Sequence, residues 1–244
     1  MYRYILDNDG SNFVLGTMRE DVAASVAETV HETPPEITTL MICVNGATRF
    51  YPTRTGDVWH GEHALKAALD RGLDPLRMLL EAYRAAGKEL FLTCRMNDVH
   101  NANESDNPNV PVFKRQHPDW IVGLEAVRRG SQQWMDYCFD YTIPGVQQYF
   151  LAMLEELVDL YGDLIDGIQL DWMRFPYHLP GSREDAWKNR AALTEFTQQA
   201  RMILDGNNRK LLLSARIPTT PAGCHYLGVD PATWTAQGLV DMLI

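Results

Sequence analysis

No run of about 18 consecutive apolar residues occurs in the 244-residue chain, so no transmembrane helix is expected. The opening stretch from Met1 to Gly10 carries acids where an export signal would carry a basic start and an apolar core. With Met1 as the start, the expected location is the cytoplasm. Cysteines are few: Cys43, Cys94, Cys138 and Cys224 form no CxxC pair and no zinc-type spacing, and they read as reduced thiols, the first two inside buried strands. No glycine-rich GxGxxG or GxxxxGKS/T segment follows an apolar run, which leaves nucleotide cradling without support. Basic residues are outnumbered, 22 against 32 acids, for a formal charge of −10. A chain of that charge repels phosphate backbones and anionic lipid, so neither nucleic acid nor membrane is the expected partner.

What is present is an ordinary globular composition, 45% apolar and 22% charged, long enough for one large core. Apolar runs rich in β-formers alternate with helical patterns. Strands are expected over Tyr2–Leu6, Thr39–Val44, Glu89–Cys94, Gly167–Leu170, Lys210–Ala215 and Leu239–Ile244. Helices are expected over Arg19–His31, Asp74–Ala86, Gly145–Tyr161, Asp185–Leu204 and Asp230–Gln237. Pro75 and Gly87 bracket the second helix in the usual Pro-start, Gly-stop order. Two long connections, Ala47–Leu73 and Asn101–Pro144, leave the C-terminal ends of strands and carry Trp59, Trp120 and Trp134.

Strands alternating with helices predict a parallel sheet of βαβ units, and continuous apolar runs predict strands covered on both faces. The choice lies between a doubly wound sheet and a β/α barrel. Polar residues stand at the ends of five different strands, and a barrel gathers such ends into one mouth. The expected fold class is therefore α/β, a (β/α)8 TIM-barrel type, forming a single domain over residues 1–244. About six units are countable, so a closed barrel is expected to need chain beyond Ile244.

The strongest chemical segment runs from Asp166 through Asp171, Trp172 and Arg174 to Pro176. Asp171 directly follows a buried strand and should face the mouth, and Arg174 three residues on is placed to orient it and keep it ionised. Asp166 enters the strand from the opposite end. After the third strand, Asn97 and Asp98 can hydrogen-bond sugar hydroxyls and His100 can transfer a proton. Asp7, Asp9, Asn45, Arg216 and His225 stand after other strands as candidate binding residues. Trp172 and Tyr177, beside the best carboxylate, suit stacking on a sugar face.

The run from Asp166 to Pro176, with Arg95–His100 and Ser214-Ala-Arg216-Ile-Pro, resembles the glycosidase-like barrels called family-10-like glycosyl hydrolases. The segment from Cys224 to Asp230, then Trp234 and Asp241, fits the same group. The strand-four segment is similar, more loosely, to that of the α-amylase and α-galactosidase superfamilies. The resemblance implies a glycosidase-type barrel acting on a carbohydrate, with Asp171 as nucleophile or charge stabiliser and no cofactor. Glycoside hydrolysis ordinarily uses two carboxylates. Candidates for the second are Asp98 or an acid in further chain, with Glu184 and Asp230 behind them. Two other readings stay open: a hydrolase holding one divalent ion with Asp7, Asp9, Asp98, His100 and Asp171, and a carbohydrate-binding barrel without catalysis.

Overall fold

The computed structural model describes residues 2–9, 12–60, 64–104, 106–123 and 133–244. Its centre is one parallel sheet: β1 (Ile5–Asn8), β2 (Thr39–Cys43), β3 (Glu89–Arg95), β4 (Gly167–Asp171), β5 (Leu212–Arg216) and β6 (Met242–Leu243). The spatial order follows the sequence order, β1-β2-β3-β4-β5-β6. All of β2 and β4 and nearly all of β3 are buried, as their unbroken apolar runs predict for strands covered on both faces.

The sheet is curled. Gln169 on β4 donates from Nε2 to Met41 Sδ on β2 at 2.9 Å, across the concave face and past the intervening strand. Contact between side chains of alternate strands is how a β/α barrel fills its interior. Gly167 opens β4 because a Cβ there would lie 2.4 Å from both Leu212 O and the Phe91 ring.

Helices alternate with the strands along the chain. They are α1 (Val22–Glu32), α2 (Ala64–Asp70), α3 (Pro75–Ala85), α4 (Val112–Gln116), α5 (Pro144–Tyr161), α6 (Arg183–Lys188), α7 (Ala191–Asp205), α8 (Pro221–Leu227) and α9 (Pro231–Ala236). Caps fix their starts: Asp21 accepts from Ala24 N at 3.0 Å and Asp74 from Arg77 N at 3.0 Å. The helix expected over Asp185–Leu204 is two, broken at Asn189–Arg190, where Arg190 turns its side chain to Asp230 and the Trp187 carbonyl. The long connections contain α2, α4 and a 3-10 turn at Gln133–Tyr137, none of which the periodicity revealed. The first strand is displaced to Ile5–Asn8, which brings Asp7 into the strand itself. All four cysteines are free and buried. Among the described residues no helix is long and apolar enough to cross a membrane.

Acids at the N-terminal ends of strands tie the sheet together. Asp166 accepts from Leu90 N at 2.8 Å and pairs with Arg84 at 2.9 Å, while Asp241 accepts from Leu213 N at 2.9 Å. Each caps a neighbouring strand, so these carboxylates belong to the fold rather than to the mouth.

Candidate active site

Register builds the core of the mouth. Asp171 is the Cα partner of Arg95 on one side and of Arg216 on the other, so the last residues of β3, β4 and β5 form a row, Arg95–Asp171–Arg216. Asp171 is buried, and its Oδ1 accepts from the backbone N–H groups of Met173 at 2.9 Å and Arg174 at 3.2 Å. Arg216 Nη1 lies 3.4 Å from Asp171 Oδ2 and 3.6 Å from Asp7 Oδ2. Burial pushes the Asp171 carboxyl above its ordinary value, against the opposing pull of the Met173 N–H and the Arg216 charge. Burial also raises Asp7; Arg216 opposes that, and the neighbouring charges of Asp171 and Asp9 add to it.

The expected partner of Asp171 is corrected here. Arg174 orients it through its backbone N–H, and the guanidinium lies instead over the Phe175 ring, 5.2 Å from its centroid. Arg216 supplies the charge.

A second cluster stands beside the first. Arg95 donates to Asp9 Oδ1 through Nη2 and to Asp98 Oδ2 through Nη1, the latter at 2.9 Å. Asp98 Oδ1 accepts from both the backbone N and Nδ1 of His100, each at 2.9 Å. Burial alone would raise Asp98, but the His100 hydrogen bonds and the charges of His100 and Arg95 outweigh it and hold the carboxyl below its ordinary value. Asp98 is therefore an ionised acceptor, the His100 Nδ1 carries the proton, and Nε2 is left for a ligand. An acid held ionised in this way is a poor proton donor, so Asp98 does not suit the second catalytic acid.

These groups line a cavity of about 410 Å³ whose walls include Asp9, Phe50, Trp59, Asp98, His100 and Arg174. Phe175 packs against one of its walls, its ring 5.1 Å from that of His100 in an edge-on arrangement. Its backbone holds φ at 109°, a left-handed value that non-glycine residues rarely adopt and that burial must sustain.

Five expected binding residues face elsewhere. Trp172 is buried completely among Tyr141, His178, Phe196 and Trp234. The cause is strand alternation: Gln169 and Asp171 point to the axis, so Trp172 points to the helices. Tyr177 is buried in the same core. Asn45 is used up by the backbone, its Oδ1 accepting from Arg95 N at 3.0 Å and its Nδ2 donating to Gly46 O and Arg95 O. Asn97 accepts from Phe139 N at 2.8 Å and donates to Phe139 O and Tyr177 O. His225 stacks on Trp187 with ring centroids 4.3 Å apart, within the α6–α8 pair. Of the other carboxylates, Glu184 lies exposed in the first turn of α6, and Asp230 caps α9 and pairs with Arg190 at 3.2 Å. Trp120 stacks on His117 at 3.8 Å; Gly10 and the side chain of Trp134 lie outside the described residues.

The one-ion arrangement is also corrected. Arg95 stands between Asp9 and Asp98, and Arg216 between Asp7 and Asp171, so guanidinium groups occupy the places a cation would take. Among the described residues no three His, Cys, Asp or Glu side chains are placed to hold a metal.

Two residues important here escaped the sequence reading. Arg95 joins the two clusters, and its position as the last residue of β3, in line with Asp171, was the available signal. His178 is buried and neutral: Nδ1 accepts from Asn97 Nδ2 at 2.9 Å and Nε2 donates to Trp172 O at 3.0 Å. It thereby ties the segment after β3 to the one after β4.

Solved structures share this fold. An alpha-L-fucosidase isoenzyme 2 from Paenibacillus thiaminolyticus matches at TM-score 0.55 and 16% identity, over 88% of this chain and 32% of its own. A noncanonic maltogenic alpha-amylase from Thermotoga neapolitana matches at 0.51 and 15%, over 93% and 48%. A pullulanase from Anoxybacillus sp. LM18-11 matches at 0.53 and 10%, over 88% and 32%. The chain thus spans between a third and a half of the length of these structures, and its strands correspond to a TIM-barrel glycosidase fold. No curated protein matches it. The family model described as Glycosyl hydrolase-like 10 matches residues 13–203, which take in β2 to β4, Asp171 and the cavity walls other than Asp9; the chain belongs to that family.

Proposed function

We propose that this chain forms the sugar-binding mouth of a glycoside hydrolase, with Asp171 as the nucleophile or the stabiliser of an oxocarbenium-like transition state. The observation that carries the reading is the setting of Asp171. A buried carboxylate at a strand end, fixed by two backbone N–H groups and an arginine, is rigidly aimed, and those partners offset part of the cost of burying its charge. As nucleophile, its carboxylate oxygen forms the bond to the anomeric carbon as the glycosidic C–O bond breaks. Water then hydrolyses the ester and restores the carboxylate. The leaving oxygen needs a proton. Asp7 is suited to hold one, because burial and two neighbouring carboxylates raise it. Both Asp7 and Asp171 lie within 3.6 Å of one Arg216 nitrogen, so their oxygens stand no farther apart than twice that distance. That bound admits the ~5–5.5 Å spacing of retaining enzymes and the lower end of the ~6.5–9.5 Å inverting range. Beside the ring His100 binds a hydroxyl or carries a proton and Arg174 binds hydroxyls, with Trp59 and Phe50 as apolar walls.

The test is a panel of neutral and charged oligosaccharides and aryl glycosides, assayed for binding and for reducing-end release with the full-length protein. Turnover that falls by orders of magnitude in Asp171→Asn while binding survives supports the reading. Full turnover in that variant sinks the role of Asp171. Binding without turnover by the unmodified protein on every sugar it holds identifies the non-catalytic binding barrel instead.

A further inference from the structure

Behind the cavity wall lies an arginine with two buried nitrogens that bond to nothing. Arg49, in the segment after β2, is buried at 1% exposure. Its backbone is fixed, the N–H donating to Asp57 O and the carbonyl accepting from Trp59 N, both at 2.8 Å. Its side chain is not: neither Nε nor Nη2 has a hydrogen-bond partner, and among the described residues no ion pair includes it. The Tyr149 hydroxyl, on α5, is buried and unpartnered as well, and its ring lies 5.0 Å from Arg49 Cζ.

These three atoms share one neighbourhood. A Cβ built on Gly56 would find them as its nearest contacts: Arg49 Nε at 3.2 Å, Tyr149 Oη at 3.3 Å and Arg49 Nη2 at 3.5 Å. Glycine at position 56 carries no side chain into that space. The nearby carboxylate, Glu156, is committed elsewhere. It accepts from Thr55 Oγ1 at 2.8 Å, from Tyr51 Oη at 3.2 Å, and from Thr53 Oγ1 and the Arg54 N–H.

The Glu156 charge attracts the guanidinium but gives it no hydrogen bond, and buried N–H groups left without an acceptor are costly in a protein interior. The guanidinium N–H groups can only donate, and a tyrosine hydroxyl has one proton to give. A water molecule accepts two such bonds at most, and of the two protons it brings only one finds an acceptor here, on the lone pairs of Tyr149 Oη, which leaves the tyrosine's own proton unserved. An acceptor-only species serves all three donors at once and neutralises the charge. We propose that Arg49 Nε and Nη2 and Tyr149 Oη, around the Gly56 notch, form a binding site for a small monovalent anion, chloride in physiological solution. Bound there, the anion would pin the 45–59 segment to α5. Thr48, Phe50 and Trp59 of that segment line the sugar cavity, so the site would stiffen one of its walls.

The test uses halides on the full-length protein. Crystals soaked in bromide should show an anomalous peak in contact with Arg49 Nε and Tyr149 Oη. Chloride and bromide should raise the melting temperature saturably, by about 3–6 °C at roughly ten times the dissociation constant, over methanesulfonate at equal ionic strength. Arg49→Met replaces the buried charge by an apolar chain of similar length and should abolish the halide-specific shift. Tyr149→Phe, which keeps the ring and removes one donor, should weaken halide affinity severalfold and serves where Arg49→Met does not fold. A water in place of the anomalous peak, or a melting temperature indifferent to halide, overturns the proposal.

Discussion

Arg216 on the fifth strand stands 3.6 Å from Asp7 on the first. In a flat sheet, strands four places apart at about 4.8 Å each would be separated by about 19 Å, beyond the joint reach of an arginine and an aspartate. The contact exists because the sheet curls, so the fold's curvature and the site's charge pairing are one fact. The same Arg216 nitrogen holds Asp171 at 3.4 Å, which makes this guanidinium the link between two carboxylates that would otherwise repel each other.

Arg216→Met should therefore move both carboxyl titrations upward. Arg216 holds Asp171 and Asp7 down against burial, and without it burial is opposed only by Arg95 and, at Asp171, by the Met173 and Arg174 N–H groups. Carbon-13 NMR of labelled aspartate side chains reads the two midpoints directly. Midpoints that stay where they were would show that the pairing is too screened to matter.

Asp171→Asn should leave the fold as stable as before at neutral pH, or slightly more so. The folded Asp171 value lies above its reference of 3.8, chiefly through burial, so its ionised form opposes folding. That penalty is absent below the unfolded value and grows as pH rises through the folded one. Urea unfolding of the two proteins should agree near pH 3 and diverge in favour of the variant toward pH 7. A variant clearly less stable at pH 7 would mark Asp171 as a structural ion-pair member.

The central strands and the barrel mouth were legible because burial on both faces writes itself as unbroken apolar runs, and Asp171 and Arg216 sit where those runs stop. Strand alternation was legible too, and applied past Asp171 it would have sent Trp172 into the core. What the sequence could not convey is where amides spend their hydrogen bonds. Asn45 and Asn97 stand at strand ends as sugar-binding asparagines would, yet both serve the backbone of segments about forty or more positions away. The pairing of Asp171 with Arg216 rather than with the side chain of Arg174 depends on sheet register, which no local spacing encodes.

Asp98→Asn should destabilise the protein by about 3–5 kcal/mol at neutral pH, because it leaves Arg95 buried with one partner fewer and removes the anchor of His100. The folded value of Asp98 is below 3.8, so its contribution is present above that pH and is lost as pH falls through the folded value. Unfolding free energies of variant and parent should draw together in acid, as pH falls through that folded value. A constant gap across pH would mean that the loss is one of packing and not of charge.

His178→Gln should remove a pH dependence in the opposite half of the acid range. Burial holds the folded imidazole down to about 4 from its ordinary 6.5, with only the Trp172 carbonyl pulling the other way. The unfolded chain therefore binds a proton that the folded protein refuses, and stability present above pH 6.5 is lost as pH falls toward 4. The size of that loss is about 3 kcal/mol for a gap of roughly two and a half pK units. Glutamine cannot titrate, so the variant's unfolding free energy should fall less steeply over this window. At pH 7 the variant should be the weaker protein, since it loses the imidazole's edge-on packing against Tyr141 and Trp172 and strains its bonds to Asn97 and the Trp172 carbonyl. The two curves should then approach one another as pH drops. Parallel curves from pH 7 to pH 4 would show that His178 takes up its proton in the folded protein as readily as in the unfolded chain, and that the tie between the segments after β3 and β4 does not depend on a neutral imidazole.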